Sequence, residues 1–449
     1  MSTHQITVVG AGPCGTLLAI RLAQRGYEVR LYEKLPDMRT TEVPAGRSIN
    51  LALSDRGIKA LKMIGLDKAV EREVIPMYSR MIHDESGGEP YLLRYSGRPH
   101  EFINSVSRPG LNTQLLHEAA RYPNLSVYFE QNCTSVDLRH ATCRFIDTKG
   151  ITTVVASEVV FGTDGAGSVV RRSMFDQSAV LRFDYAQDFL DHGYKELTIP
   201  ANEIGGWRLE KHALHIWPRQ KFMLIALPNL DGSFTVTLFL PFDAHPGFNQ
   251  LKDTDRVSEF FRTTFPSAFE HMDTLDHDFM TNPTGILGTI KCYPWHANGK
   301  VLLLGDAAHA IVPFYGQGMN CALEDVVVLD DIIDQYDGNW EKIFNTYQAT
   351  RKKDTDAIAD LAVDNYYEMR DHVDNPEFIL KRKIEMLLEE KYPSYSSKYN
   401  LVAFNEDVPY SEAMRRGRAQ DEFLLEYCKG KMIEEVDLEE VVGRLKMNK

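Results

Sequence analysis

Gly10, Gly12 and Gly15, an acid at Glu33, an Asp164-Gly165 pair and a Gly305-Asp306 pair are the residues whose types and spacing could do chemistry. A G-x-G-x-x-G run serves a phosphorylated ligand in three ways. One glycine makes the tight turn, one lets the backbone approach a pyrophosphate, and one allows the following helix to pack closely. Glu33 lies 18 residues past the third glycine, at the distance where a carboxylate takes ribose hydroxyls. This fingerprint alone leaves NAD and FAD both open. In the second stretch Gly305-Asp306 ends an apolar run, and Gly316-Gln317-Gly318 runs into Met319 and Asn320, which read as the opening of a helix. A carboxylate at a strand end can hold a polyol, and N–H groups at a helix N-terminus suit a group that carries negative charge. A far-downstream Gly-Asp is what a ribityl chain requires, and the sequence has neither a second G-x-G-x-x-G nor a C-x-x-C. FAD is therefore the expected cofactor, with Gly10, Gly12, Gly15, Glu33, Asp164, Gly305, Asp306, Gly316, Gly318, Met319 and Asn320 around it. Taken alone Asp164-Gly165 could be only a turn; its place at the end of an apolar strand, upstream of a second Gly-Asp strand end, gives it a cofactor-facing expectation.

These residues need a strand–turn–helix frame. Residues 6–9 form a short apolar strand before the glycines, and Leu17, Leu18, Leu22 and Ala23 line one side of the helix that follows, which Gly26 ends. The strand 28–32 delivers Glu33. Arg47, in AGRSINLAL, is expected at the cofactor or the mouth of the active site, and Arg108, which opens a helix that buries Leu111, Leu115 and Leu116, is expected at the cofactor. Between 74 and 102 the pattern is strand-like and rich in turns, as for a separate sheet. Residues 213–217, 222–227 and 233–240 read as three consecutive antiparallel strands, the last two joined through Pro228-Asn-Leu-Asp-Gly232. Phe234, Val236 and Leu238 alternate with Thr235, Thr237 and Phe239, a pattern that suits a sheet over a ligand cavity as well as a sheet edge in water. Helices follow from 326 to 336 and from 340 to 362, and the remainder reads as helical with acidic solvated faces. The expected organisation is α/β: a discontinuous Rossmann-like FAD-binding domain (1–75, 101–181 and 288–370), an inserted antiparallel-sheet substrate domain (76–100 and 182–287) and a C-terminal helical region (371–449).

Bulk composition narrows the partners. Of 449 residues 43% are hydrophobic and 25% charged, the proportions of a globular protein. A net charge of −14 repels phosphate backbones and anionic lipid surfaces, so neither nucleic acid nor membrane is an expected partner. Without a signal peptide pattern or an apolar run of spanning length, the expected location is cytoplasmic. The six cysteines form no metal-ligand cluster in sequence, so no metal and no disulfide is expected. The choice between a monomer and a homodimer stays open.

The glycine fingerprint, Asp164-Gly165 and Gly305-Asp306 together resemble those of the single-component FAD-dependent aromatic hydroxylases. RSINLAL (47–53), HGYKEL (192–197), ALHIWP (213–218), ALPNLDGSFTVTLFLP (226–241) and PFYGQGMNCALED (313–325) narrow the resemblance to the branch that hydroxylates kynurenine, in its soluble bacterial form. The resemblance implies a glutathione-reductase/aromatic-hydroxylase type of FAD domain and NADPH as co-substrate. It also implies L-kynurenine and O2 as substrates, 3-hydroxykynurenine as product by way of a C4a-hydroperoxyflavin, and a place in tryptophan degradation. It assigns the kynurenine carboxylate to Arg80, Tyr95, Asn365 and Tyr399, and the ring to Leu214, Ile225, Leu227, Phe239, Pro313 and Phe314. No histidine or carboxylate is assigned as a catalytic base, since the ring is activated by its own amino group; His309 reads as a turn residue. The alternatives are a hydroxylase of the same class acting on another aromatic acid and a redox-inactive nucleotide-binding protein.

Overall fold

The computed structural model describes residues 5–41, 50–85, 87–371 and 375–447. The expected role of Arg47 lies outside these described residues.

The first strand, Gln5–Val9, is buried almost throughout, and it pairs in parallel with Glu28–Tyr32 on one side and Val159–Gly162 on the other. Leu125–Tyr128 extends this sheet beyond Glu28–Tyr32, while Val301–Leu303 and His296–Ala297 extend the opposite side, giving six strands. A parallel sheet needs cover on both faces, and the apolar runs of these strands provide for it. The helices Pro13–Gln24 and Gly318–Tyr336 pack into one core with the sheet through Leu17, Leu18, Leu22, Leu323, Val326 and Leu329. The strands that lead to Gly10, Asp164 and Gly305 are thus neighbours in one sheet.

A second sheet has seven strands, in the order Thr284–Tyr293, Asp184–Ile199, Phe234–Pro241, Phe222–Pro228, Ala213–Arg219, Ser79–Ile82 and Tyr91–Arg94. Its pairs are antiparallel except Ser79–Ile82 against Ala213–Arg219. The strand Thr284–Tyr293 stays paired with Asp184–Ile199 on both sides of position 287, so this sheet runs past the boundary expected there.

Every residue of Phe234–Pro241 is buried, because the sheet is covered on both faces. Phe234, Val236, Leu238, Leu224, Ala226 and Trp217 point into a core with the helices Thr254–Thr264 and Leu275–Thr281. The alternate residues, Phe239, Met223 and Ile225, point toward the long helix Trp340–Asp371 and the loop at Phe314. The sequence alternation therefore marks two differently used faces, and the threonines Thr235 and Thr237 belong to the second. The last part of the chain supplies the helices Pro376–Lys391, Lys398–Ala403, Tyr410–Cys428 and Leu438–Met447.

Candidate active site

Gly10 has φ +100°, and a Cβ there would lie 2.5 Å from the Thr163 carbonyl oxygen. A Cβ on Gly15 would lie 2.0 Å from the Gly10 oxygen. Both positions are closed by the protein's own backbone, so only glycine fits. Gly12 is different: nothing lies within 4 Å of its Cβ position, so its backbone is bare toward the space above it. That space is a cavity of about 570 Å³ lined by Gly10, Gly12, Glu33, Arg108, Asp164 and Tyr194, among others. The Glu33 carboxylate accepts from Ala11 N–H at 2.8 Å and Leu35 N–H at 2.9 Å, which fixes the loop and leaves acceptor capacity toward the cavity.

Asp164 stands in the cavity wall, but its carboxylate accepts from Ser168 Oγ at 2.5 Å and from the N–H groups of Val169 and Val170. It therefore holds the start of the helix Val169–Phe175. Burial pushes its carboxyl up against the downward pull of these hydrogen bonds. Sequence reasoning missed Asn112, which lines the cavity, donates to the Ala11 carbonyl at 3.0 Å and keeps a buried Oδ1 without a partner. A lone asparagine inside a helix gives no signal in sequence.

At the second stretch Gly305 has φ +58° and ψ −145°, a conformation that suits glycine, and Asp306 stands exposed beside it. The turn ends at Gly316, φ +69°, and the helix Gly318–Tyr336 begins. Asn320 is wholly buried. Its Oδ1 accepts from Ser54 N–H at 2.9 Å, while its Nδ2 donates to the Ala52 and Gly316 carbonyls at 2.7 and 3.0 Å. This side chain stitches the turn to the strand Asn50–Leu53, leaving the first-turn N–H groups of the helix as the ones available to a ligand.

Behind the turn lies a charged cluster that no spacing in the sequence announces. Asp325, fully buried, accepts from Gly305 N–H at 2.9 Å, His309 Nε2 at 2.6 Å and Arg351 Nε at 2.9 Å. Arg351 continues to Glu324 at 2.7 Å, and Glu324 to Arg56, whose guanidinium lies 4.0 Å over the Tyr410 ring. Burial would lower the His309 imidazole, but Asp325 outweighs it and raises the group to about 10. Burial would raise the Asp325 carboxyl, but His309 and Arg351 hold it down at about 2. His309 is thus a charged anchor and not merely a turn residue. Ligand atoms of His309, Cys321 and Asp325 come within 4.8 Å of one another. With a protonated imidazole and a guanidinium already on the carboxylate, this is an ion-pair cluster by its chemistry.

The residues expected around the ring and the carboxylate come to one place. Leu214, Ile225, Leu227 and Phe239 share one face of the seven-stranded sheet, and Arg80 stands beside Leu214 in the parallel register. Phe239 meets Phe314 at 5.0 Å, and Asn365 Nδ2 donates to the Phe314 carbonyl at 2.7 Å. Pro313 is exposed next to it. The Arg80 guanidinium lies 5.0 Å over Tyr95 and 4.8 Å over Tyr399, whose rings are stacked at 5.6 Å. Arg80 has no carboxylate within ion-pair distance among the described residues. Tyr315 stacks on Tyr399 at 5.4 Å, its hydroxyl buried without a partner.

An open nucleotide cradle, a second glycine turn at a helix N-terminus and an apolar sheet face with a guanidinium that has no carboxylate partner among the described residues are the parts of a flavoprotein hydroxylase. The FAD binding domain family model matches residues 3–362, so the chain is an FAD-binding protein of the aromatic-hydroxylase fold. Solved structures bear out that fold. A tetrameric form of 2-methyl-3-hydroxypyridine-5-carboxylic acid oxygenase is similar at TM-score 0.67 and 20% identity, over 88% of this chain and 99% of its own. PqsL of Pseudomonas aeruginosa, a probable FAD-dependent monooxygenase, is similar at TM-score 0.64 and 20% identity, over 82% and 96%. The kynurenine 3-monooxygenase of Myxococcus xanthus is 45% identical over 436 residues, 96% of this chain and 93% of that protein. The one from Dictyostelium discoideum is 43% identical, over 96% and 95%. The chain belongs to the kynurenine 3-monooxygenase family. Among the described residues no helix is long and apolar enough to cross a membrane.

Proposed function

We propose that this protein is an FAD-dependent, NADPH-consuming monooxygenase that hydroxylates L-kynurenine to 3-hydroxykynurenine. The observation that carries the reading is Arg80: a half-buried guanidinium without a carboxylate partner among the described residues, framed by Tyr95 and Tyr399 beside an apolar cluster that includes Leu214, Ile225 and Leu227. An amino acid carboxylate completes such a group, and a charge-assisted hydrogen bond there contributes about 1.5–3 kcal/mol.

The residues fit FAD. The bare backbone at Gly12 and the 570 Å³ cavity suit the pyrophosphate and its ribose, with Glu33 and Arg108 at its walls. The first-turn N–H groups of Gly318, Met319 and Asn320 suit an electron-rich ring edge. Bound FAD, once reduced by NADPH, would activate O2 and supply from it the oxygen atom that the aromatic ring takes up. The protein's part is placement and exclusion of water. Arg80 and Tyr399 hold the carboxylate end, while Leu214, Ile225, Leu227, Phe239 and Phe314 keep the ring in an apolar surround. Asn365 acts on Phe314 by holding its backbone carbonyl. Neither a base nor a nucleophile is required of the chain, since the substrate's amino group activates the ring. The free cysteines support a cytoplasmic location.

Substrate-dependent NADPH oxidation by the yellow holoenzyme tests the reading. L-kynurenine is expected to accelerate oxidation and to gain one oxygen. Stimulation by another aromatic acid with no response to kynurenine would replace the substrate and keep the class; a flavin that NADPH cannot reduce with any aromatic ligand would overturn both.

A further inference from the structure

The strand Asp184–Ile199 separates two cavities. Tyr194 lines the cofactor cavity, and the next residue, Lys195, points the other way, onto the face it shares with Leu197 and Ile199. There it floors a separate surface pocket of about 290 Å³, walled by Phe242, Phe248, Phe279, Leu251 and Met280, with Lys252 at its edge. Lys195 is only 6% exposed. Its Nζ donates to the Asn282 carbonyl at 2.6 Å and lies 5.0 Å from the centre of the Phe279 ring. Among the described residues no carboxylate lies within ion-pair distance of it, and a like charge, Lys252, adds repulsion. Burial and that neighbour together lower the Lys195 ammonium from its ordinary value. Buried lysines are almost always paired, and a backbone carbonyl supplies only part of a counter-charge.

We propose that this pocket is a second ligand site, which takes a small aromatic monocarboxylate with its carboxylate on Lys195 Nζ and its ring among Phe242, Phe248 and Phe279. The carboxylate supplies the missing counter-charge and takes the ammonium N–H groups that Asn282 leaves over. The aromatic walls reward burial of a ring and cannot solvate a dianion, which separates this ligand from inorganic phosphate. Lys252 adds attraction from the rim, where solvent weakens it.

A fluorine NMR titration of the FAD-loaded enzyme with trifluoromethylbenzoate tests the site. Saturable binding is expected in the wild type and in Arg80→Ala, which weakens carboxylate binding at the substrate site. Lys195→Met should weaken the site about tenfold or more. Lys252→Ala and Met280→Trp change exposed residues and keep the test decisive if Lys195→Met fails to fold. The first should weaken binding a few-fold, and the second should block the mouth. The proposal is overturned by absent saturation in the wild type, by binding lost in Arg80→Ala yet kept in Lys195→Met, by Lys252→Ala and Met280→Trp both binding like the wild type, or by displacement with inorganic phosphate as effective as with benzoate.

Discussion

The carboxylate of Asp325 accepts the backbone N–H of Gly305 at 2.9 Å, so a buried side chain from within the helix Gly318–Tyr336 fixes the turn that presents Asp306. The same carboxylate pairs with both His309 and Arg351. Asp325→Asn leaves those two cations buried without it, a change that costs about 3–5 kcal/mol when a buried pair loses one partner. The variant is expected to unfold at lower temperature and to bind FAD more weakly, as measured by thermal melts of apo- and holoprotein and by flavin titration. Wild-type values in both would show that the cluster does not hold the turn.

The two glycines Gly12 and Gly15 separate folding from cofactor binding. Gly15→Ala drives a methyl to 2.0 Å from a backbone oxygen and should prevent accumulation of folded protein. Gly12, with φ −70°, has room for a methyl, so Gly12→Ala should keep apoprotein stability within about 1 kcal/mol. Its methyl occupies the space into which a pyrophosphate must come, so FAD affinity should fall tenfold or more. Isolation of Gly12→Ala with a full complement of flavin would remove the pyrophosphate from this loop.

Arg80→Ala removes the guanidinium that lies over Tyr95 and Tyr399. The expected effect is a rise of about tenfold to a hundredfold in KM for the amino acid substrate, with flavin content and kcat little changed. Loss of FAD in place of a raised KM would move Arg80 from the substrate to the cofactor.

His83 and His215 carry a pH dependence. Their rings share a hydrogen bond at 2.9 Å, and His83 stacks on Trp217 at 4.1 Å. Burial lowers His83 to about 3 and His215 to about 4. Both folded values lie below the unfolded one, so the folded protein binds fewer protons and its stability falls as pH drops below about 6.5 toward 4. Each histidine contributes on the order of 1 kcal/mol per pH unit in that window. Denaturant melts from pH 7 to pH 4.5 should trace the slope, and His83→Gln should flatten it. A slope unchanged by that substitution would place its origin elsewhere.

The chemistry-bearing residues differed in how far they could be read from sequence. The spacing of Gly10, Gly12, Gly15 and Glu33 carried its own meaning, because a turn, a helix start and a strand end within one β-α-β unit are set by local geometry. The strands 213–217, 222–227 and 233–240 were legible from composition, and the structure extends each by at most two residues at an end. The Asp164-Gly165 turn is legible as a strand end, and only the fold adds that Asp164, in the cavity wall, also holds the start of the helix at Val169.

By itself the sequence determined the dinucleotide unit, the downstream Gly-Asp turn and the two-faced antiparallel strands, since each depends on neighbours within a few residues along the chain. Tertiary structure decided what those elements hold. It brought Asp325 and Arg351 behind Gly305, set Arg80 between Tyr95 and Tyr399, and left Lys195 in a pocket of aromatic rings with no carboxylate among the described residues. Burial and pairing decide the charge state of such groups, and both depend on contacts between residues far apart in the chain, which no local spacing encodes.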